Sequence, residues 1–106
     1  MMVMTTHLCP GQRICKVLGL VQGSSIRARH VGKDLTAAFK NITGGEVTEY
    51  TKLMAESREQ ALDRMRESAA QLGANAVIGV RFVTTSVMQH ASELLAYGTA
   101  VIMEDE

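Results

Sequence analysis

Ala76-Val77-Ile78-Gly79-Val80-Arg81-Phe82-Val83-Thr84-Thr85-Ser86-Val87-Met88 is followed, across Gln89-His90-Ala91-Ser92, by Glu93-Leu94-Leu95-Ala96-Tyr97-Gly98-Thr99-Ala100-Val101-Ile102-Met103. Two runs rich in β-branched residues, joined by a short polar loop, predict an antiparallel hairpin. In the first run Ile78, Val80 and Phe82 fall on one side, and Val77, Arg81, Val83 and Val87 on the other. In the second, Leu95, Tyr97, Thr99, Val101 and Met103 alternate with Leu94, Ala96, Gly98, Ala100 and Ile102. Both faces of this hairpin are largely apolar, whereas a half-solvated antiparallel strand alternates apolar with polar. One helix covers one face of such a sheet. A bare second face would be a large apolar patch, which symmetric self-association removes. Closing a barrel within one chain is the competing solution, but four strands are too few for it.

That helix lies just upstream, from about Val47 to Leu72, in a stretch rich in Ala, Glu, Gln, Arg, Met and Leu. Glu46 and Glu49 sit at its positive dipole end, and Gly73 follows as the C-terminal cap. Tyr50, Met54, Ala61, Met65, Ala69 and Leu72 recur near a period of 3.6 and predict its buried face. Further upstream, Val3 to Thr6 reads as a short edge strand, and Pro10-Gly11 as a turn. Ile14 to Gln22 reads as a strand broken by Gly23-Ser24-Ser25. Asp34 caps a short helix over Leu35 to Ile42, which Gly44-Gly45 ends. The expected order is β-β-α-α-β-β, an α+β single domain over residues 1–106, with one long helix on an antiparallel sheet.

Composition narrows the function classes. The 106 residues hold 11 basic and 11 acidic side chains, so the formal net charge is zero. Non-specific nucleic-acid binding needs a basic surface, and a polybasic membrane anchor needs a basic run; neither is present. No apolar run reaches the roughly 20 residues of a spanning helix. Met1-Met2-Val3-Met4-Thr5-Thr6-His7 has no basic region followed by a long apolar one, so a signal peptide is not expected. The expectation is a soluble, cytoplasmic protein with reduced cysteines.

Three stretches carry a family resemblance. Gly32-Lys33-Asp34 leads to Phe39-Lys40-Asn41-Ile42-Thr43-Gly44-Gly45 and Glu49-Tyr50. Ser57-Arg58-Glu59-Gln60-Ala61, with Arg64-Met65, leads to Leu72-Gly73-Ala74-Asn75-Ala76-Val77-Ile78-Gly79-Val80-Arg81. The third stretch is Ala96-Tyr97-Gly98-Thr99-Ala100-Val101. From about Gly11 to Val101 the chain resembles the YbjQ-like family, which carries a heavy-metal-binding label. The resemblance implies a dodecin-like subunit that assembles into rings, typically pentamers and sometimes decamers paired face to face. It implies no defined reaction.

The metal candidates are His7, Cys9 and Cys15, whose imidazole and thiolates suit Zn²⁺ or Cu⁺. His7-x-Cys9 chelates one ion across a turn in this reading, and Cys15 returns from the next strand. A structural zinc site takes four ligands, so His30, His90 or a symmetry mate supplies the last. The competing reading makes Cys15 a small buried hydrophobe and places His7 and Cys9 in a loop. The family pattern does not call for His or Cys at these positions. The acidic stripe Glu56, Glu59, Asp63 and Glu67 reads as a solvated helix face.

Arg58 falls on the wheel beside Met54, Ala61 and Met65, and a charge on an apolar face needs a partner. Arg81, within an apolar strand, poses the same question. An inter-subunit ion pair answers it, as does an anion or small molecule held in an inter-subunit pocket with Tyr50 and Tyr97. No enzyme constellation is visible: there is no Gly-x-Ser-x-Gly elbow and no His-Glu-x-x-His. The function classes left are a metal-binding module, a small-molecule binder at inter-subunit pockets, and a scaffold without a ligand.

Overall fold

The computed structural model describes residues 1–28, 48–88 and 91–106. Its elements are β1 (Met2–Val3), β2 (Gln12–Ala28), α1 (Thr48–Gln71), β3 (Ala76–Met88) and β4 (Ala91–Asp105). The short helix expected over Leu35 to Ile42 and the Gly44-Gly45 turn lie outside the described residues. The four strands form one sheet in the order β1-β3-β4-β2, with α1 packed on one face. The fold is α+β, and the sheet is mixed rather than antiparallel. β3 and β4 form the expected hairpin, and β2 pairs antiparallel with β4, but β1 runs parallel to β3. The parallel pair arises because the N-terminal arm returns to the outer edge of β3, reached across the sheet rather than through a tight turn.

Helix α1 stands within one residue of its expected ends. Gly73 adopts φ 87° beyond its last turn. The Ala74 amide donates to the Ala69 carbonyl and the Gly73 amide to the Ala70 carbonyl, which is a Schellman cap. The buried stripe is narrower than the wheel predicts. Among the described side chains of the helix the buried ones are Ser57, Ala61, Met65 and Ala69, one residue every fourth position. Leu72, expected inside, is 49% exposed because the cap turns it off the helix. Arg58, expected on the apolar face, is exposed.

The stripe is narrow because α1 lies very close to the sheet, and Gly23 makes that approach possible. A Cβ at Gly23 would collide with the Met65 nitrogen and the Ala61 carbonyl oxygen of the helix backbone. Gly23-Ser24-Ser25, read from sequence as a break, therefore lies inside β2 where the helix crosses it. Ser25 is buried beside it, and its hydroxyl pairs with the Gln60 side-chain oxygen at 2.9 Å.

The strand faces differ from simple alternation at Gly79. This residue has φ 62° and lies in a bulge: Ile78 pairs with Thr99 and Arg81 with Tyr97, so two residues oppose Gly98. The bulge reverses the parity of β3. Val77 and Val80 both face α1 with Ala96 and Ala100, and Ile78 joins Ala76, Val101 and Met103 on the other face. The grouping of Ile78 with Val80 and Phe82 expected from sequence is thus corrected.

Candidate functional site

The second sheet face decides what this molecule has available for function. The N-terminal arm covers one end of it. Arm and β3 join through Met4 N–H to Val77 O (2.9 Å), Gly79 N–H to Thr6 O (3.0 Å) and Val80 N–H to Met4 O (3.1 Å). Met4 and Cys9 pack against Ala76, Ile78, Val101 and Met103. The Arg81 guanidinium bridges to the arm, donating to the Thr5 carbonyl at 3.0 Å and to the Val80 carbonyl at 2.8 Å. The His7 ring lies over the bulge, with Nε2 3.0 Å from where a Cβ on Gly79 would be. The chain therefore supplies part of the cover that the sequence assigned to another subunit. The signal for it was Gly79 itself, since glycine inside an apolar strand marks a bulge or a close approach.

Beyond the arm, side chains on this face among the described residues are exposed. Val17 is 63% exposed, Leu20 71%, Val83 43% and Tyr97 37%. Register places Leu20 opposite Thr99, Tyr97 opposite both Gln22 and Arg81, and Val83 opposite Leu95. These side chains share the face turned away from α1, because Ala96, Gly98 and Ala100 between them point toward the helix side.

The metal candidates are divided by the sheet. Cys9 is half-buried with Met103 on the face away from α1. Cys15 is exposed at a β2 bulge, the extra residue between the pairs Ile14–Met103 and Lys16–Ile102. It lies beside Glu104, whose side chain alternates to the face opposite Met103. His7 belongs to the arm at Gly79. Among the described residues no three His, Cys, Asp or Glu side chains converge as metal ligands. His30 and His90 lie outside the described residues. The donors among the described residues therefore do not by themselves make up a zinc or copper site.

Each thiol has its own surroundings. Partial desolvation against the strand pushes the Cys15 thiol above its ordinary range, and the neighbouring Glu104 carboxylate adds to this, while Arg13 opposes it. A raised value means less thiolate at neutral pH. Glu104→Gln removes the opposing negative charge, so alkylation of Cys15 should become faster and its pH profile should move to lower pH. Rates with a maleimide probe on a Cys9→Ser background measure this. An unchanged profile would show that Glu104 does not act on the thiol.

The four residues assigned to a pocket also separate. Arg81 and Tyr97 are register partners on the open face. Arg58 is on the helix layer, exposed and without an ion pair to a described residue. Tyr50 falls in the first turn of α1, and its side chain lies outside the described part. The sheet stands between Arg58 and the Arg81–Tyr97 pair, so these residues meet only if different subunits present them. The acidic stripe Glu56, Glu59, Asp63 and Glu67 is solvent-exposed on α1, as expected, with Arg66 paired to Asp63 at 3.0 Å. No helix among the described residues is long and apolar enough to cross a membrane.

Comparison with known proteins agrees with this architecture. The chain is 56% identical over 106 residues to a UPF0145 protein of Clostridioides difficile (strain 630), covering 100% of this chain and 95% of that one. It is 52% identical over 105 residues to a UPF0145 protein of Thermococcus kodakarensis, covering 99% and 93%. A crystal structure of a protein of unknown function of the DUF74 family, from Pediococcus pentosaceus ATCC 25745, matches with a TM-score of 0.65 at 16% identity, covering 98% of both chains. At that identity the likeness concerns the fold alone. Residues 1–104 match the YbjQ family model, described as "Putative heavy-metal-binding". With a model match over nearly its whole length and relatives more than half identical, the chain belongs to the YbjQ (UPF0145) family.

Proposed function

We propose that this chain is a non-catalytic binding module that works as a ring of identical subunits, a homopentamer or two pentamers paired as a decamer, with its ligand sites where subunits meet. The observation that carries this reading is the open sheet face. Leu20, Val17 and Val83 are exposed apolar side chains on that face, and no described residue covers them. Each buried side chain of this kind is worth about 1.5–3 kcal/mol. A net charge of zero sets up no strong repulsion between copies. The free thiols Cys9 and Cys15 suit a reducing, cytoplasmic compartment.

The ligand follows from what the face presents. Arg81 and Tyr97, paired in register on the open face, offer a cation and a phenol to an anionic or aromatic small molecule. A soft metal such as Zn²⁺ enters this reading only with donors shared between subunits, because one chain's His7, Cys9 and Cys15 stand apart. Bound there, the ion would cross-link copies through thiolate and imidazole. A ring without a ligand of its own, a scaffold, is the remaining outcome.

Native mass spectra of the purified protein, without chelator and before and after added zinc, test the assembly and the metal together. A ring mass is expected, and Leu20→Glu should reduce it to monomer by placing a charge within the apolar contact. A monomer mass for the native sequence at micromolar concentration would overturn the assembly. Zinc added in whole-number ratio to subunits would establish the shared metal site. Scattered weak adducts on an intact ring would exclude it and leave the Arg81–Tyr97 pocket or the scaffold.

A further inference from the structure

Arg81 is exposed on β3, and backbone holds it: Nη1 donates to the Thr5 carbonyl at 3.0 Å and to the Val80 carbonyl at 2.8 Å. A guanidinium has five N–H donors, and Nη1 carries two of them. Both are engaged, so the other three lie on Nε and Nη2. These two nitrogens make the side-on fork that meets two oxygens of a carboxylate or phosphate with parallel hydrogen bonds. Fixing Nη1 also orients the fork, because the group is rigid and planar. Thr5 belongs to the N-terminal arm, so the arm sets this geometry. Two ladder bonds bracket Thr5 in the arm, Val80 N–H to the Met4 carbonyl and Gly79 N–H to the Thr6 carbonyl. Met4 anchors the same stretch by packing against the cluster of Ala76, Ile78, Val101 and Met103. Tyr97 stands opposite Arg81 in register and is 37% exposed, which sets an aromatic ring on the neighbouring strand.

We propose that the N-terminal arm is the positioning element of an oxyanion site on Arg81. The ligand is a small molecule whose carboxylate or phosphate takes the Nε–Nη2 fork and whose body lies against Tyr97. This rests on the small-molecule reading proposed above; it names the group that is recognised and the segment that orients its receptor. A docked arm presets the fork, so binding is spared the entropy of ordering a free arginine side chain. Arm and site are thereby coupled. By linkage, an arm that raises the affinity for the oxyanion is itself tightened by the oxyanion, and by the same factor. Arg81→Lys keeps the charge and loses the planar fork. The side chain is exposed, so this substitution takes nothing from the core.

Sodium benzoate and inorganic phosphate, each titrated into the full chain and into Arg81→Lys, test this. Hydrogen exchange at the Gly79 and Val80 amides, which the arm covers, is followed on the same samples, and native mass is recorded. The expected result is that one of the two anions binds the native chain and binds the variant about ten-fold more weakly. That anion also slows exchange at Gly79 and Val80 in the native chain and not in the variant. Benzoate as the tighter anion assigns the site to a carboxylate on an aromatic body, and phosphate as the tighter one to a phosphate. Equal affinity for native chain and variant would overturn the fork. Weaker binding by the variant, with exchange at Gly79 and Val80 unmoved by the anion in the native chain, would overturn the role of the arm. Failure of both anions to bind a native chain that shows a ring mass would overturn the site and leave the ring standing. A monomer that binds as expected would overturn the ring and leave the site standing.

Discussion

Gly23→Ala is expected to lower the unfolding free energy by about 3 kcal/mol, the upper end of what overpacking costs. The added methyl would run into the Met65 nitrogen and the Ala61 carbonyl oxygen, with the Arg64 carbonyl carbon at 2.8 Å. All three are helix backbone, so no side-chain rotation relieves the contact and α1 must lift from β2. The same lift separates Ser25 from Gln60 and opens the core around Ala61, Met65 and Ala69. Urea unfolding followed by circular dichroism measures the loss. Gly11→Ala is the control for a glycine with no neighbour near the added carbon, and it should cost only the strain of its φ of 84°. A loss at Gly23 no larger than at Gly11 would show that the helix does not cross there.

Met65→Ala should cost about 2–5 kcal/mol, because Met65 is fully buried at the centre of the cluster between α1 and the sheet. Its neighbours Ala61, Ala69, Ala96 and Ala100 are too small to fill the space it leaves. Met65→Leu keeps most of the volume and should cost less than about 1.5 kcal/mol. The half-buried Met54 gives the comparison within the same helix, and Met54→Ala should be clearly milder. Equal losses at Met54 and Met65 would contradict the placement of the buried stripe. Against a total stability of roughly 5–15 kcal/mol, either Gly23→Ala or Met65→Ala removes a large share.

Legibility varied with the range over which each feature is decided. The α1 boundaries and cap were readable because propensity, dipole and Gly73 act within a few residues. The β3–β4 hairpin was readable for the same reason. The burial of Leu72 and the apolar placement of Arg58 were misread because a wheel does not know how near the helix approaches its sheet. Gly23 sets that distance, and its partner residues are about forty positions away in sequence. The candidate ligands were the least legible, since His7, Cys9 and Cys15 look close along the chain. Arm, turn and bulge send them to different places.

By itself the sequence determined the α+β class, the one dominant helix and the excess of apolar sheet surface. Those properties follow from local preference and from the count of apolar residues, which no tertiary arrangement changes. Only the tertiary structure decided that the arm joins β3 in parallel, that Gly79 reverses the strand's faces, and that the sheet separates Cys9 from Cys15 and Arg58 from Arg81. Side chains in a strand alternate with period two, so a single bulge reassigns every face beyond it. A pairing such as Met4 with Val77 or Arg81 with Thr5 is selected by the free edge that the folded sheet presents, and that edge exists only once the sheet has formed.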